Sequence, residues 1–174
     1  MKHIIIEGFM GSGKSTIGKK LAKKLDIPFL ELEKLITKKM NMSANEIFEK
    51  FGEAYYRAIE SFELKELQEE KVRSVITIGG GLPTMQQNWP MLEALGCVVY
   101  LDVAPDVLVK RLEKGRTHII LKGGNLEEKV HKLLAEREES YKKVANITIS
   151  VTDVNRPADD VVAEIEEKLK STSL

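Results

Sequence analysis

The sequence runs His3-Ile-Ile-Ile-Glu-Gly-Phe-Met-Gly-Ser-Gly-Lys-Ser-Thr16 near its beginning. Residues 4–6 form a short β-branched run, which suits a strand buried on both faces of a parallel sheet. The spacing G-x-x-x-x-G-K-S from Gly8 to Ser15 is that of a phosphate-binding loop, and the amphipathic pattern over residues 17–25 predicts the helix that should follow it. Glycines let backbone N–H groups turn toward phosphate oxygens, and the helix adds the positive end of its dipole. The stretch therefore predicts a nucleoside triphosphate site.

Two side chains of this loop predict its chemistry. Lys14 has the reach to contact the β- and γ-phosphates, and the Ser15 hydroxyl can ligate Mg²⁺. The predicted cofactors are therefore ATP and Mg²⁺. The alternative is a glycine-rich turn before an ordinary helix, but at ordinary glycine usage the bare pattern should arise by chance in fewer than about one chain in a hundred. The other loop residues predicted to hold the nucleotide are Gly11, Ser12, Gly13 and Thr16.

The composition is that of a globular protein. Of the 174 residues, 43% are hydrophobic, and 27 basic residues balance 27 acidic ones. This balance gives no overall attraction to nucleic acid or a membrane, so any anion binding must come from local arginines and backbone amides. The single cysteine, Cys97, stands in an apolar run and cannot form an internal disulfide. We expect a single domain over residues 1–174, a monomer in the cytoplasm, without a signal peptide or membrane span.

Apolar runs that predict strands alternate with amphipathic stretches that predict helices, which indicates an α/β domain with a mainly parallel sheet. Ser43 and Glu46 have the spacing of a capping box at a helix start. Residues 113–125 are polar, contain glycine and show no core pattern, so we predict a mobile loop there. After the first strand and helix, the predicted strands cover 26–33, 72–78, 97–101 and 147–151, and the predicted helices cover 53–70, 89–95, 105–112, 126–143 and 158–170.

Candidate polar groups follow two of the predicted strands. Glu31 and Glu33 stand two residues apart at a strand end, so both carboxylates should point the same way, at the edge where the phosphate loop also lies. They could complete the Mg²⁺ shell and orient or deprotonate an attacking hydroxyl, or they could be an ordinary solvated pair. Gly79 to Gly81 also end a strand, which indicates close approach by a ligand or a simple turn.

Two arginines complete the set of candidates. Arg57 and Glu60 are three apart on a predicted helix, close enough for the carboxylate to hold the guanidinium. Arg137 lies on a late helix. The planar guanidinium suits a carboxylate or phosphate ligand, but a surface salt bridge is the alternative for either arginine.

Four motifs together resemble the shikimate kinase family, whose members are small P-loop kinases that phosphorylate the 3-hydroxyl of shikimate with MgATP. The resemblance covers nearly the whole chain. It implies a three-layer P-loop kinase fold with a five-stranded sheet, acceptor-binding helices over about 34–62, and a mobile lid over about 113–125. The motifs are Gly8-Phe-Met-Gly-Ser-Gly-Lys-Ser-Thr16, Ile47-Phe-x-x-x-Gly-Glu-x-x-Tyr-Arg57, the glycine triplet, and Arg137-x-x-x-Tyr141.

The resemblance also implies roles for individual residues. The acceptor's carboxylate and hydroxyls would be held by Arg57, Arg137 and the glycine triplet, Gly80 above all. Glu31 would act near the metal and Glu33 would contact the acceptor hydroxyls. The further residues implied are Phe48 and Tyr56 as pocket walls, Glu60 as the partner that orients Arg57, and Arg111 with Pro157 as the adenine sandwich.

The acidic pair departs from the family pattern. The family has Asp-x-Asp where this chain has Glu31-x-Glu33. A glutamate carries its carboxylate about 1.5 Å further out, and misplacing a catalytic group by about 1 Å can lower a rate by about 100-fold. A different or smaller acceptor therefore becomes conceivable.

The lid departs as well. The family has Arg-Pro-Leu-Leu, with an arginine that reaches the γ-phosphate, whereas this chain has His118-Ile-Ile-Leu121. Such an arginine can contribute about 10³–10⁵ in rate. Arg116, two residues earlier, is the candidate replacement. The predicted catalytic residues are thus Lys14, Glu33, Arg116 and His118.

The leading interpretation is an ATP-dependent kinase that phosphorylates shikimate. The second keeps the chemistry but changes the acceptor to another hydroxylated carboxylic acid. A third is a nucleotide-binding regulatory protein with weak catalysis. The changed acidic pair and lid favour the third, while the intact Lys14, Ser15, Arg57 and Arg137 oppose it.

Overall fold

Five parallel strands form the sheet in the computed structural model, which describes residues 2–115 and 119–172. The strands are β1 (His3–Gly8), β2 (Phe29–Glu31), β3 (Val75–Thr77), β4 (Gly96–Val103) and β5 (Ile147–Val151). Every neighbouring pair of strands is parallel, and the order across the sheet is β2-β3-β1-β4-β5.

Helices cover both faces of this sheet. The helices are α1 (Lys14–Leu25), α2 (Leu32–Met40), α3 (Ala44–Phe51), α4 (Glu53–Glu66), α5 (Trp89–Leu95), α6 (Pro105–Lys114), α7 (Leu126–Val144) and α8 (Ala158–Ser171). Ile4 and Ile6 pack into one hydrophobic core with α1, α6, α7 and α8, while Ile5 between them packs into a second core with α2 to α5. Alternate residues of a strand point to opposite faces, so the central strand β1 supplies both cores and the fold has three layers.

The predicted fold class is confirmed, and the strand ends differ from prediction for a physical reason. The strand β3 spans Val75–Thr77 rather than residues 72–78, because its ladder with β2 and with β1 covers only those three residues. The strand β4 is longer than predicted because it pairs with β1 through Leu101 and with β5 through Val103. Pairing partners, which the local sequence does not show, decide where a strand ends.

The prediction that Glu31 and Glu33 share a strand was wrong. The strand β2 ends at Glu31, and Glu33 lies in the first turn of α2. The helix begins early because it buries both Leu32 and Ile36 while Lys34 between them stays exposed, whereas a strand would place all three on one face. An acidic side chain in a first turn also favours the helix through its dipole.

The prediction that residues 113–125 contribute nothing to the core was also wrong in part. The first two residues belong to α6, and Ile119–Leu121 forms a short 3₁₀ helix. Within it Leu121 is only 3% exposed and joins the core. A single apolar anchor has no periodicity, so the sequence pattern could not show it. The lid itself stays a prediction.

The capping box at the start of α3 is confirmed. The backbone N–H of Ser43 donates to Glu46 Oε2 at 2.7 Å, and the backbone N–H of Glu46 donates to Ser43 Oγ at 3.2 Å. Within the described ranges, 2–115 and 119–172, no helix has the length and apolar character needed to cross a membrane.

Candidate active site

The phosphate loop connects the end of β1 to the start of α1. The backbone reaches left-handed φ angles of 81° at Gly11 and 94° at Gly13, which side chains rarely adopt. The N–H of Ser12 donates to the carbonyl of Phe9 at 3.1 Å, so the loop closes on itself. The helix α1 adds its first, unpaired N–H groups. The loop thus has the backbone geometry of an anion site.

Lys14, the first residue of α1, folds back over this loop. Its Nζ donates to the carbonyls of Gly8 at 2.8 Å and of Phe9 at 3.0 Å. Burial lowers the pKa of Lys14 to about 8, and the carboxylates of Glu33 and Glu7 act in the opposite direction. The ammonium group is therefore present at neutral pH, next to the phosphate loop.

A cavity of about 170 Å³ lies at the carboxyl edge of the sheet. Residues from the loop, from β2, from α2, from α4, from the turn after β3 and from α7 meet there. The predicted site residues that line it are Lys14, Ser15, Glu31, Glu33, Tyr56, Arg57, Glu60, Gly79, Gly80, Gly81 and Arg137. Sequence reasoning missed Lys34 and Ile120 in the same lining. Phe48 is not in this lining but packs on Tyr56, with ring centroids 4.5 Å apart.

The carboxylate of Glu31 links the phosphate loop to α2. Ser15 Oγ donates to Glu31 Oε1 at 2.5 Å, and Lys34 forms an ion pair with the other carboxylate oxygen. Burial acts to raise the pKa of Glu31, but the hydrogen bonds from Lys34 and Ser15 outweigh it and lower that pKa. The group is therefore ionised at neutral pH. A hydroxyl and an ionised carboxylate are the oxygen ligands that Mg²⁺ prefers, so these residues fit the predicted metal.

Arg57 is only 8% exposed, and two carboxylates hold its guanidinium group from different sides. Its Nε and Nη2 donate to Glu53 Oε1 at 3.3 and 3.1 Å, and its Nη1 forms an ion pair with Glu60. Burial opposes the charge, but Glu60 and Glu53 raise the pKa of Arg57 above its ordinary value. Sequence reasoning missed Glu53, although the i,i+4 spacing was a usable signal.

The glycine triplet follows β3 for a reason that the sequence did not show. A side chain at Gly81 would overlap the guanidinium of Arg57, and one at Gly79 would overlap the carboxylate of Glu60. A Cβ at Gly80 would lie 2.9 Å from the carbonyl of Gly8. The turn therefore lacks side chains so that buried groups of the protein itself can approach it.

Arg137 and Tyr141 stand one turn apart on α7 and both are buried. Tyr141 Oη donates to the carbonyl of Gly80 at 2.6 Å, which ties α7 to the glycine turn. Burial raises the pKa of Tyr141 to about 12, so this donor is present throughout the neutral range. Arg137 is 6% exposed and lines the cavity with Arg57. Two nearly buried guanidinium groups in one cavity suit an anionic ligand.

A second cavity, of about 260 Å³, lies on the other side of the phosphate loop. Arg111 Nη1 donates to the carbonyls of Ser12 at 3.2 Å and of Gly11 at 3.4 Å. Arg156, which sequence reasoning missed, is also part of the wall, whereas Pro157 is not among the lining residues. The predicted nucleotide residues that line this cavity are Gly11, Ser12, Gly13, Thr16 and Arg111.

The two predicted lid residues, Arg116 and His118, lie outside the described residues. Among those described, Asp106, Glu127 and His131 bring carboxylate and imidazole atoms within 4.8 Å of one another. All three are exposed and none lines either cavity, so they are not part of this site.

A family model described as shikimate kinase matches residues 10–170 of the chain. The chain belongs to the shikimate kinase family. The shikimate kinase of Sulfurihydrogenibium is 38% identical over 170 residues, which cover 98% of this chain and 99% of the relative. That of Thermoanaerobacter pseudethanolicus is 36% identical over 165 residues, with 95% and 94% covered.

Solved structures of shikimate kinases share the whole architecture. The shikimate kinase from Acinetobacter baumannii, solved in complex with shikimate, superposes with a TM-score of 0.91 at 32% identity, covering 100% of this chain and 96% of that one. The Aquifex aeolicus enzyme has a TM-score of 0.83 at 35% identity, covering 99% and 98%. Family membership confirms the predicted class of activity, a phosphotransferase that uses ATP and an alcohol acceptor.

Proposed function

We propose that this chain transfers the γ-phosphoryl group of ATP to a hydroxyl of shikimate. The observation that carries the proposal is the shared cavity of Lys14, Arg57 and Arg137, which combines a phosphate-binding cation with two buried guanidinium groups. This arrangement suits an acceptor that carries both a carboxylate and a hydroxyl. The shikimate bound to the Acinetobacter baumannii relative is a molecule of that kind.

The arginines would bind the acceptor carboxylate. Charge-assisted pairs between arginine and carboxylate are short and specific in direction. Glu53 and Glu60 already fix the guanidinium of Arg57, so little side-chain freedom remains to be lost on binding. Gly80, tied to Tyr141, would form the floor against which the acceptor ring rests.

The nucleotide would lie across the phosphate loop. Ser12 and Gly13 line the second cavity, and Lys14 and Ser15 line the first. Adenine in the second cavity, against Arg111, would therefore send its phosphates over the loop toward the acceptor. Pro157 remains a predicted member of the adenine site.

Mg²⁺ would be held by Ser15 and Glu31, which already share a hydrogen bond. When bound, the ion supplies positive charge against the phosphate oxygens. Lys34, paired with Glu31, adds a further cation at that side of the cavity.

Glu33 would orient the acceptor hydroxyl. It projects from the first turn of α2 into the lining of the first cavity, and its charge acts on Lys14. Most of the catalysis would come from positioning and charge neutralisation.

A coupled assay of ADP release tests the proposal, with shikimate and a panel of other hydroxylated carboxylic acids as acceptors. The highest kcat/KM should belong to shikimate. A better acceptor in the panel would support the second interpretation. Nucleotide binding without turnover on any acceptor would support a regulatory role.

We also propose that the chain works as a monomer in the cytoplasm, without nucleic acid or membrane. The equal numbers of basic and acidic residues, 27 of each, support the absence of nucleic acid and membrane as partners. Light scattering after gel filtration, with and without ATP, should give a mass near 19.6 kDa. A mass of twice that value would contradict the monomer.

A further inference from the structure

Glu7 is a buried carboxyl group at the end of β1. Its side chain is 0% exposed, and neither carboxyl oxygen has a hydrogen-bond partner among the residues that the structure describes. More than about 90% of buried polar groups in proteins are paired, and an unpaired buried charge is strongly unfavourable. A charged residue type in an otherwise apolar strand was a signal that sequence reasoning did not use.

The surroundings of Glu7 are defined by β4, α7 and α1. Tyr100 of β4 is its neighbour in strand register, and Tyr141 of α7 packs on Tyr100 with ring centroids 5.3 Å apart. From α1, Lys14 is the charged group that acts on Glu7, and Glu7 in turn acts on Tyr141. Glu7 therefore faces two phenols and one ammonium group.

The charge of Lys14 acts on Glu7, and its ammonium group lies at the start of the phosphate loop. Its Nζ is held by the carbonyls of Gly8 and Phe9, the two residues that directly follow Glu7. An ionised Glu7 would attract the ammonium back toward β1 and would also repel the phosphates of a nucleotide. A neutral Glu7 would do neither.

We propose that Glu7 is a positioning residue that couples nucleotide binding to a proton. ATP binds preferentially when the Glu7 carboxyl is protonated, because Lys14 can then turn its ammonium toward the phosphates. Binding to the ionised form draws one proton from solvent onto a Glu7 oxygen. The inference rests on the nucleotide site of the proposed function.

Burial supports the sign of this coupling. It raises the pKa of Glu7 well above its ordinary value, and the charge of Lys14 opposes the shift. When Lys14 turns to the phosphates this opposition weakens, so the nucleotide raises the pKa of Glu7 further. Linkage then requires ATP affinity to fall as pH rises through the pKa of Glu7.

The test compares wild type with Glu7→Gln, which keeps the shape and removes the titration. Titration calorimetry with ATP between about pH 5 and 7 measures affinity, since Lys14, with a pKa of about 8, stays almost fully protonated there. Wild-type affinity should fall with pH by at least about fivefold more than that of the variant, the lower end of typical coupling between sites. Titration of the nucleotide phosphates is common to both proteins and cancels in this comparison.

Proton stoichiometry gives a second readout. In buffers of different ionisation enthalpy, wild type should take up more protons per ATP than Glu7→Gln, with a difference between zero and one. Glu63→Gln is the matched control, because Glu63 is a buried carboxylate on the same chain but is paired with Lys39 at 2.7 and 2.8 Å. That variant should be less stable yet keep the wild-type pH profile for ATP.

Identical pH profiles and proton uptake in wild type and Glu7→Gln would overturn the role of Glu7. If Glu7→Gln does not fold, Glu7→Val replaces it, since valine suits a buried strand. No binding of ATP to wild type at any pH would instead contradict the proposed nucleotide site. The two failures are therefore distinguishable.

Discussion

The charged side chains of the site act in groups. Some members of a group are close in sequence, and others are brought together by the fold. Helical spacing predicted that Arg57 meets Glu60, because residues three apart share a helix face. It could not predict that Gly79 and Gly81 are glycines because these same two side chains rest on them, since that contact joins α4 to the turn after β3. Local contacts were predictable, and contacts between elements were not.

Replacing the buried arginines should affect the acceptor and not the nucleotide. Losing one partner of a desolvated charge pair costs about 2–5 kcal/mol, so Arg57→Ala and Arg137→Ala should each raise the KM for shikimate by at least about 30-fold. The KM for ATP should change little. Steady-state kinetics with each substrate varied in turn measure both values.

Arg156→Ala is the matched control, because Arg156 lines the second cavity and pairs with Glu164 at 2.5 Å. It should weaken ATP binding and leave shikimate binding unchanged. Arg57→Ala leaves Glu60 buried without its partner, so thermal melting must show that the variant is folded. Equal losses for both substrates in Arg137→Ala would assign a folding role to these arginines.

Glu7 should make the fold less stable as pH rises. Its pKa is raised in the folded state, so between the unfolded value of about 4.3 and the folded value the native state holds more protons than the unfolded state. Stability from this group is fully present at low pH and falls as pH increases. Glu7→Gln removes this loss, so its melting temperature should exceed that of wild type at about pH 7 and the difference should shrink toward about pH 4.

Thermal melts at several pH values up to about 7 measure this difference. Lys14 has a pKa lowered to about 8, so it stays almost fully protonated in this range and changes stability mainly at higher pH. A constant offset between the two proteins at all pH values would show that Glu7 does not titrate differently in the two states.

At the level of elements, the sequence predicted which segments are helices and strands better than where they end. The apolar run of β4 was recognised, but its final residues are strand only because β5 pairs with them. Glu33 was assigned to a strand because the polar-apolar-polar order of residues 31–33 occurs both at a strand end and at a helix start. The burial of Leu32 and Ile36 with Lys34 exposed between them, which decides the matter, is a property of the folded chain.

The turn after β3 should not tolerate a side chain. Gly81→Ala would place a methyl group on the guanidinium of Arg57, which must then leave Glu60 or move the turn. We expect a loss of stability of about 1–3 kcal/mol, as for an overpacked core, together with a raised KM for shikimate. Gly115→Ala is the control for stability, because its Cβ would meet only a carbonyl of Arg111, at an ordinary 3.4 Å. Wild-type melting and kinetics for Gly81→Ala would show that the glycine turn can move freely.

On the scale of the whole molecule, the parallel sheet placed the site where the sequence predicted it. Carboxyl ends of parallel strands meet at one edge, so the loop after β1, the carboxylate at the end of β2 and the turn after β3 had to converge. The division of this edge into two cavities by the phosphate loop was not predictable, because α7 and the N-terminus of α8 complete the walls from distant parts of the chain.

The segment between α6 and α7 contains Ile120, which lines the first cavity. In the shikimate kinase family an arginine on this segment reaches the γ-phosphate, and Arg116 is the candidate replacement in this chain. We predict that Arg116→Ala lowers kcat by at least about tenfold with little change in the KM for shikimate, since removing an interaction that forms only in the transition state acts on kcat.

His118 is the competing source of this charge, and pH separates the two. An imidazole with its unperturbed pKa of about 6.5 is mostly neutral at pH 7, so a catalytic His118 would make kcat rise as pH falls toward about 6. Arginine stays charged throughout this range, so Arg116 alone would give no such rise. His118→Arg should then raise kcat or leave it unchanged. If Arg116→Ala leaves kcat unchanged and His118→Ala is inactive, the positive charge that contacts the γ-phosphate comes from the histidine. The rate of the enzyme then depends on protonation of His118.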